Sequence, residues 1–331
     1  MTENRELMIS IQNEVAQANV YDLYTNTLSP ITKVNYISTI KGFFGVNDLS
    51  EISISDMQSV TPDVANIWAN RQLMSGIAKS TINRKLSAMF NFYEYLCRRN
   101  VGIMTYNPFS TSQGCVRFKN TTKDYSDKRA LSPQEMQKLL KAVQVNKDDG
   151  INKLVAYRDL VILQILLTAG LRRAELCSIK IGDITMNQGQ YTISITGKGN
   201  KVRLMVLAEP VKHTIDVYLK LRGVTYQDKD LPLVASHSSN SDPTKHIDTT
   251  TVYRVVKKYA DKAGLDAETI APHNLRHTYA TVSYAELGVN KDQLQQLMGH
   301  TSSSTTARYI HSVEMVKNSP ANALAAMCEI E

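Results

Sequence analysis

The sequence predicts a mainly α-helical protein of two domains, the second of which contains a small antiparallel β-sheet. The chain has 331 residues, which is long for a single hydrophobic core. Apolar side chains recur at helical spacing through most of its length. Residues 189–207 differ, because apolar and polar side chains alternate on both sides of the turn sequence GKGNK. That pattern is typical of a β-hairpin.

The first domain is predicted to be helical throughout. Its helices are expected at residues 6–26, from Ser29-Pro30 onward, at residues 62–75 around Trp68, and at residues 80–98. The fourth helix has an apolar face that we expect in the core: Ile82, Leu86, Met89, Phe90, Tyr93 and Leu96.

The first turn of that fourth helix has a different character, because short polar and basic side chains collect there. They are Lys79, Ser80, Thr81, Asn83, Arg84 and Lys85. A helix start of this composition suits DNA phosphates, although an ordinary solvated face gives the same pattern.

Residues 100–128 are predicted to be a linker, since they are polar and show no periodicity. We place the first domain at residues 1–118, the linker proper at 119–128 and the second domain at 129–331. In the second domain a capping box at residues 132–135 starts one helix. Another helix is expected over residues 152–168, ending near Gly170, and helices are expected to resume near Thr249.

The amino-acid composition limits the classes of protein to which this chain can belong. The net charge of +7 favours a polyanionic partner without establishing one. The four cysteines include no CxxC pair, so a disulfide framework and a thiolate zinc site are not indicated, and a reducing cytoplasm is expected. We expect neither a secretory signal nor a membrane span, because the N-terminus is polar and the longest apolar stretch is short.

The stretch APHNLRHTYAT, residues 271–281, places His273 and His277 four residues apart on a predicted helix. Many zinc hydrolases space two ligands in this way, but they follow the first with a glutamate, and here that residue is Asn274. Arg276 between the histidines disfavours a cation and suits an anion. We therefore expect an anion site and no metal.

The stretch LLTAGLRRAEL, residues 166–176, places Arg172 and Arg173 where a new helix starts. Positive charge is unfavourable at that end of the helix dipole, which indicates a bound anion, with Glu175 available to orient an arginine. Ordinary surface arginines remain the alternative.

Two further stretches carry reactive side chains. TGKGNKVR places Lys198 at the hairpin tip, either as an ordinary basic turn or as a lysine delivered to a substrate. LMGHTSSSTTARYIHS contains His300 and Tyr309. Such a tyrosine is either a packing residue or a nucleophile toward phosphorus.

The ordered set of these stretches resembles the tyrosine site-specific recombinases, also called the phage integrase family. The matching strings are TAGLRRAEL, GKGNKVR, HNLRHTYAT and LMGHTSSSTTARY, and STINRKLSAMFNFYEYL resembles the core-binding domain of the family. No further domain is expected before the first one, so the chain is most similar to the two-domain Xer type. The resemblance implies a helical core-binding domain followed by a mostly α catalytic domain.

The resemblance implies catalytic roles for six residues. Tyr309 would attack the scissile phosphate and form a 3′-phosphotyrosyl link, which keeps the bond energy and requires no metal, ATP or cofactor. Arg172 and Arg276 would hold the non-bridging oxygens. Lys198 would protonate the leaving 5′-oxygen, and His273 would accept the tyrosine proton. The sixth residue, His300, would contact the phosphate.

The resemblance also implies supporting residues and partners. Glu175 would orient Arg172, and His277 would support its helix. Double-stranded DNA would be held between the two domains, in a homo-tetramer that forms a Holliday junction. The C-terminal segment around residues 321–327 would dock on a neighbouring protomer, although packing on its own domain is the alternative. The resemblance therefore implies a cytoplasmic, nucleoid-associated enzyme that acts on a mobile element or a chromosome.

Two other functions remain open at this stage. A type IB topoisomerase shares the tyrosine chemistry but acts on one duplex. A DNA-binding regulator with an idle site is disfavoured, because every catalytic position is filled.

Overall fold

The chain divides into two compact units, residues 1–123 and 124–331. The computed structural model describes residues 20–98, 101–119, 129–145, 150–197, 200–237, 242 and 244–299. The predicted linker at 119–128 lies outside the described residues except for Lys119, so its assignment stays a prediction.

The first unit is helical. Its helices are α1 (Val20–Asn26), α2 (Pro30–Phe44), α3 (Ile54–Gln58), α4 (Pro62–Met74) and α5 (Lys79–Leu96). The predictions for α2, α4 and α5 are confirmed. Only residues 20–26 of the first predicted helix lie within the described range. The short helix α3 was not predicted; it begins at a capping box in which the Ser53 hydroxyl accepts the Asp56 N–H.

The buried face of α5 differs from the prediction at one aromatic pair. Phe90 is only half-buried, whereas Phe92 is fully buried. The reason is α1, whose Tyr21 and Tyr24 rings lie 6.0 and 5.0 Å from the Phe92 ring. The helical spacing of apolar residues in α5 does not by itself show that α1 packs against the Phe92 side of the helix. The other five predicted core residues of α5 are buried: Ile82, Leu86, Met89, Tyr93 and Leu96.

The segment 101–118 is not a linker, and the wider prediction of a linker from residue 100 is wrong there. It is an irregular segment of the first unit, and it contributes three residues to the core: Met104, Phe109 and Cys115. The amide of Asn66 donates to one carbonyl of this segment and accepts one N–H, and the amide of Asn83 does the same. The Asn66 and Asn83 amides thus give hydrogen-bond partners to backbone groups that would otherwise have to bond to water.

The second unit contains helices around a three-stranded sheet. Its elements are α6 (Pro133–Lys141), α7 (Ile151–Ala169), α8 (Arg173–Ser178), β1 (Ile184–Asn187), β2 (Gln190–Thr196), β3 (Val202–Val206), α9 (Glu209–Arg222), α10 (Thr249–Lys262), α11 (Pro272–Ala285) and α12 (Lys291–Met298). The predicted capping box is present: the Ser132 hydroxyl accepts the Glu135 N–H, and the Glu135 carboxylate accepts the Ser132 N–H. Helix α7 packs against α9 and α11.

The sheet is antiparallel with the strand order β1-β2-β3, and the predicted hairpin is its β2-β3 half. Ile193 lies between Ile184 and Met205, and all three face the core. The opposite face of edge strand β3 is solvent-exposed and apolar, with Val202, Leu204 and Val206.

Helix α9 corrects the prediction that helices resume only near Thr249. It buries Val211, Ile215, Tyr218 and Leu219, which are spaced as one helical face. The helix expected over residues 152–168 is confirmed as α7, and most of its second half is buried. Among the described residues, no helix has the length and hydropathy needed to cross a membrane.

Candidate active site

The end of α7 and the start of α8 form one side of the site. Gly170 ends α7 in the left-handed conformation (φ 57°), and Arg172 then lies at the N-cap of α8. The Glu175 carboxylate reaches back to Arg172, accepting its backbone N–H at 2.8 Å and Nη1 at 2.7 Å. The expected contact between Glu175 and Arg172 is therefore present.

Arg203 of β3 approaches the same carboxylate from the sheet. Its Nη2 donates to Glu175 Oε2 at 2.8 Å and its Nη1 donates to Oε1 at 3.3 Å, which makes a two-pronged ion pair. Arg203 was not among the site residues predicted from the sequence. Strand alternation contained the signal, because Arg203 shares the inward face of β3 with buried Met205. A charged side chain at an inward position requires a partner.

Arg276 of α11 completes what we call the arginine cluster, namely Arg172, Arg203 and Arg276 around Glu175. Its side chain is only 3% exposed, and its Nη1 lies 3.8 Å from Glu175 Oε2. Nη1 also donates to the Gly170 carbonyl at 2.6 Å. The cluster therefore joins residues that are about a hundred positions apart in the sequence.

The C-terminal end of α12 lies against this cluster. Three consecutive carbonyls each accept a hydrogen bond from a different arginine. Leu297 O accepts Arg203 Nε at 2.9 Å, Met298 O accepts Arg276 Nη2 at 2.5 Å, and Gly299 O accepts Arg172 Nη2 at 3.3 Å. The negative end of a helix dipole suits this cationic environment.

The electrostatics of the cluster favour an anion. Burial by itself raises the pKa of Glu175, but hydrogen bonds from Arg203 and Arg172 outweigh it and hold that pKa below its ordinary value. Glu175 is therefore a carboxylate at neutral pH, and it offsets only one of three guanidinium charges. Arg203 and Arg276 are 13% and 3% exposed, whereas Arg172 is 42% exposed. An anion arriving from solvent would meet Arg172 first.

The two histidines of α11 have different environments. His273 lies in the first turn and is exposed, whereas His277 is half-buried and its Nδ1 lies 3.2 Å from Thr281 Oγ1. The Asn274 carboxamide accepts the Ala271 N–H at 3.2 Å and so caps the helix. Among the described residues, no group of three or more His, Cys, Asp or Glu could hold a metal ion.

Three predicted catalytic residues, Lys198, His300 and Tyr309, lie outside the described residues. The structure does describe two of their chain neighbours at the cluster. A Cβ added to Gly197 would lie 3.9 Å from Glu175 Oε1, and the carbonyl of Gly299 accepts Arg172. Of the predicted site, the structure thus brings together Arg172, Glu175 and Arg276.

The candidate DNA contacts at the start of α5 are only partly exposed. Ser80 and Arg84 are exposed, whereas Lys79 and Thr81 are half-buried. The two remaining side chains have partners within the unit. Asn83 binds the backbone of Phe118 through both ends of its amide, and Lys85 Nζ donates to Gln72 Oε1 at 2.5 Å. DNA binding by these six residues stays a prediction.

Comparison with known proteins identifies the relatives of this chain. Residues 129–315 match the phage integrase family, and residues 22–100 match the phage integrase N-terminal SAM-like domain. Tyrosine recombinase XerC of Thermodesulfovibrio yellowstonii is 31% identical over 298 residues, which cover 87% of this chain and 93% of the relative.

Two solved structures share the fold. The XerH site-specific recombinase bound to difH substrate, in a pre-cleavage complex, has a TM-score of 0.60 at 20% identity and covers 83% of this chain and 74% of its own. A lambda integrase tetramer bound to a Holliday junction has a TM-score of 0.57 at 18% identity and covers 87% and 75%. These likenesses, together with the family matches over both units, lead to one conclusion: the chain belongs to the phage integrase family and is a tyrosine recombinase.

Proposed function

We propose that this tyrosine recombinase carries out site-specific strand exchange on double-stranded DNA, with the arginine cluster as its phosphate-binding site. The observation that carries the proposal is the convergence of Arg172 and Arg276 on the buried Glu175 carboxylate, which leaves excess positive charge beside an exposed guanidinium. A phosphodiester is the anion that this enzyme family cleaves.

The cleavage step balances as a transesterification. The Tyr309 oxygen attacks phosphorus, the bond to the 5′-oxygen breaks, and a 3′-phosphotyrosyl link replaces it. Arg172 and Arg276 bind the non-bridging oxygens and stabilise the charge that develops in the transition state. His273 takes the tyrosine proton, and Lys198 gives a proton to the departing 5′-oxygen. The exposed position of His273 is compatible with access to DNA.

The remaining predicted residues support this step. His300 hydrogen-bonds the phosphate, Glu175 orients Arg172, and His277 supports α11. Rejoining is the reverse reaction, in which a 5′-hydroxyl from another duplex attacks the phosphotyrosyl link. Because the link conserves the phosphodiester bond energy, neither ATP nor a metal ion is needed, and exchange of one strand pair gives a Holliday junction.

The proposal includes an assembly. Residues 1–118 form a core-binding domain, residues 119–128 a linker and residues 129–331 the catalytic domain. The basic net charge of +7 favours DNA, with Lys79, Ser80, Thr81, Asn83, Arg84 and Lys85 as contacts. Four copies act on two duplexes, with the segment around residues 321–327 of each copy docking on its neighbour. The lambda integrase tetramer on a Holliday junction supports this arrangement by likeness of fold. The enzyme would be associated with the nucleoid.

Replacement of Tyr309 tests the nucleophile. Covalent protein–DNA adducts are recovered under denaturing conditions from cells that express the chain, and the attached DNA ends are sequenced. We expect the wild-type chain to give adducts at a defined sequence, linked through the 3′ end. We expect Tyr309→Phe to give none, because phenylalanine has no hydroxyl to attack phosphorus.

Tyr253→Phe is the matched control, since Tyr253 is a partly exposed tyrosine of α10 and should retain adducts. Adducts of Tyr309→Phe at the wild-type level would refute the nucleophile. Incubation of two-site DNA with the wild-type chain should then yield Holliday junctions. Relaxation of supercoiled DNA without junctions would instead indicate a topoisomerase.

A further inference from the structure

We propose that Arg203 is a positioning residue of the active site: it holds Glu175 in place, and through Glu175 it keeps Arg172 and Arg276 available for the phosphate. This inference rests on the proposed function. Arg203 was not among the predicted site residues, and in the structure its ion pair is with Glu175 of the arginine cluster described above.

Each of the three guanidinium nitrogens of Arg203 donates a hydrogen bond: Nη1 and Nη2 to the two Glu175 oxygens, and Nε to the Leu297 carbonyl. The side chain is 13% exposed. These hydrogen bonds fix the guanidinium against the Glu175 carboxylate, which is the arrangement expected of a residue that acts through Glu175.

The charge of Arg203 also matters to its neighbours. Glu175 accepts hydrogen bonds from Arg203 and Arg172, and it lies 3.8 Å from Arg276. Without Arg203, the carboxylate would lose its two-pronged partner and would attract the other two guanidinium groups more strongly. Those two are the groups that the proposed reaction needs on the phosphate. Arg203 therefore supplies hydrogen bonds and positive charge to the Glu175 carboxylate, and Arg172 and Arg276 remain available for the phosphate.

Arg203 also approaches the backbone after α12 closely. Gly299 adopts the left-handed conformation (φ 59°), and a Cβ there would lie 2.8 Å from Arg203 Nη1 and 3.1 Å from its Cζ. A Cβ at this position would require the Arg203 guanidinium or the backbone after α12 to shift. Arg203 thus links β3, which follows the Lys198 hairpin, to the turn that precedes His300.

The test compares Arg203→Met and Arg203→Lys with the wild-type chain on two DNA duplexes that carry the mapped cleavage site. One duplex has a normal scissile phosphate. The other has a methylphosphonate, in which a methyl group replaces one non-bridging oxygen and removes the charge. Single-turnover rates of covalent adduct formation, DNA affinity by fluorescence anisotropy and thermal unfolding are measured for each chain.

On the normal phosphate, we expect Arg203→Met to slow adduct formation by roughly 100-fold, comparable to the loss of one transition-state donor, with little change in DNA affinity. On the methylphosphonate, Arg203→Met should slow adduct formation by roughly tenfold or less, because a neutral phosphorus group depends less on charge stabilisation by Arg172 and Arg276. Arg203→Lys should recover part of the rate, since lysine keeps the charge but cannot bind both oxygens in parallel.

Arg222→Met is the matched control, because Arg222 is a partly buried arginine that binds a backbone carbonyl outside the cluster. It should leave both rates unchanged. The inference would be overturned if Arg203→Met slowed adduct formation by the same factor on the two duplexes, or if it retained wild-type rates on both. If Arg203→Met does not fold, Arg203→Lys gives the same comparison between duplexes. Failure of the wild-type chain itself to form an adduct would instead overturn the proposed function.

Discussion

At the scale of single residues, Gly170 shows how the site depends on an absent side chain. It ends α7 with a φ of 57°, and a Cβ there would lie 2.3 Å from Cδ1 of Tyr279. Its carbonyl accepts a hydrogen bond from Arg276 at 2.6 Å. Glycine at this position therefore lets the chain turn, lets α11 pack closely and presents a carbonyl to the cluster.

Gly170→Ala should lower the free energy of unfolding by about 3 kcal/mol or more, since a left-handed alanine and a side-chain clash each cost about 1–3 kcal/mol. Gly264→Ala is the control, because it has a similar φ of 66° and no atom within 4 Å of the added Cβ. It should cost about 1 kcal/mol from the backbone alone. Denaturant unfolding measures both. Equal losses at the two positions would show that contact with Tyr279 does not matter.

At the scale of elements, helix starts carry much of the local information. The capping box at Ser132 fixes the first turn of α6, and the Glu135 carboxylate in that turn also binds Arg129 at 2.5 Å. Hydrogen bonds from Arg129 and from the Ser132 backbone lower the pKa of Glu135. The start of α6 is thus held by three neighbouring polar groups where the described part of the second unit begins.

Ser132→Ala should lower the free energy of unfolding by about 1 kcal/mol, because the Glu135 N–H loses its acceptor. Ser87→Ala provides the contrast. Ser87 is exposed within α5, where its hydroxyl bonds back to the Asn83 carbonyl. Alanine is the better helix former there, so that variant should be neutral or slightly more stable. A Ser132→Ala chain as stable as wild type would argue against the capping contribution.

Local signals explain which elements the sequence could predict. Helices α2 and α6, which begin at a proline or a capping box, and the alternating β2-β3 hairpin were predicted. Helix α9 also has a proline at its start and was not predicted, so such a signal is not sufficient by itself. The segment 101–118 was not predicted as part of the first unit, because its order comes from Asn66 and Asn83, whose positions relative to it are set by tertiary packing. Helix α3 is only 5 residues long and gives almost no periodic signal.

The site follows the same rule. Arg172, Glu175 and Arg276 were predicted because they lie in recognisable strings, and the Glu175–Arg172 pair is local. Arg203 binds a carboxylate 28 residues away, and its second partner is 94 residues away. Only the register of β3 against β2 and the approach of α12 bring these groups together. Strand alternation places Arg203 on the inward face of β3, but spacing alone does not identify partners that are distant in sequence.

At the scale of the whole molecule, the described chain has two large hydrophobic cores, one in each unit. Leu86 is fully buried in the core of the first unit, and Leu166 is fully buried in that of the second. A third, smaller cluster around Ala280 joins α11 to α12. The residues of each large core come from one unit only, so each unit has its own source of hydrophobic stabilisation.

Leu86→Ala and Leu166→Ala should each destabilise their own unit by about 2–5 kcal/mol, because each leaves a cavity in a fully packed core. Hydrogen exchange followed by mass spectrometry should show faster exchange in residues 20–98 for the first variant and in residues 150–197 for the second. The two variants serve as controls for each other. Loss of protection over both ranges in either variant would contradict separate cores.

The three carbonyls at the end of α12 have a consequence for mutational tolerance. Because Leu297, Met298 and Gly299 present main-chain oxygens to the arginines, these contacts do not depend on side-chain chemistry at the first two positions. Alanine at either position would leave the carbonyl in place, so its effect would come from lost packing, above all at Met298, which is fully buried. Deleting one residue of α12 would rotate every later carbonyl by about 100° and remove all three acceptors together. These contacts depend on the register of α12, and only secondarily on the identity of its side chains.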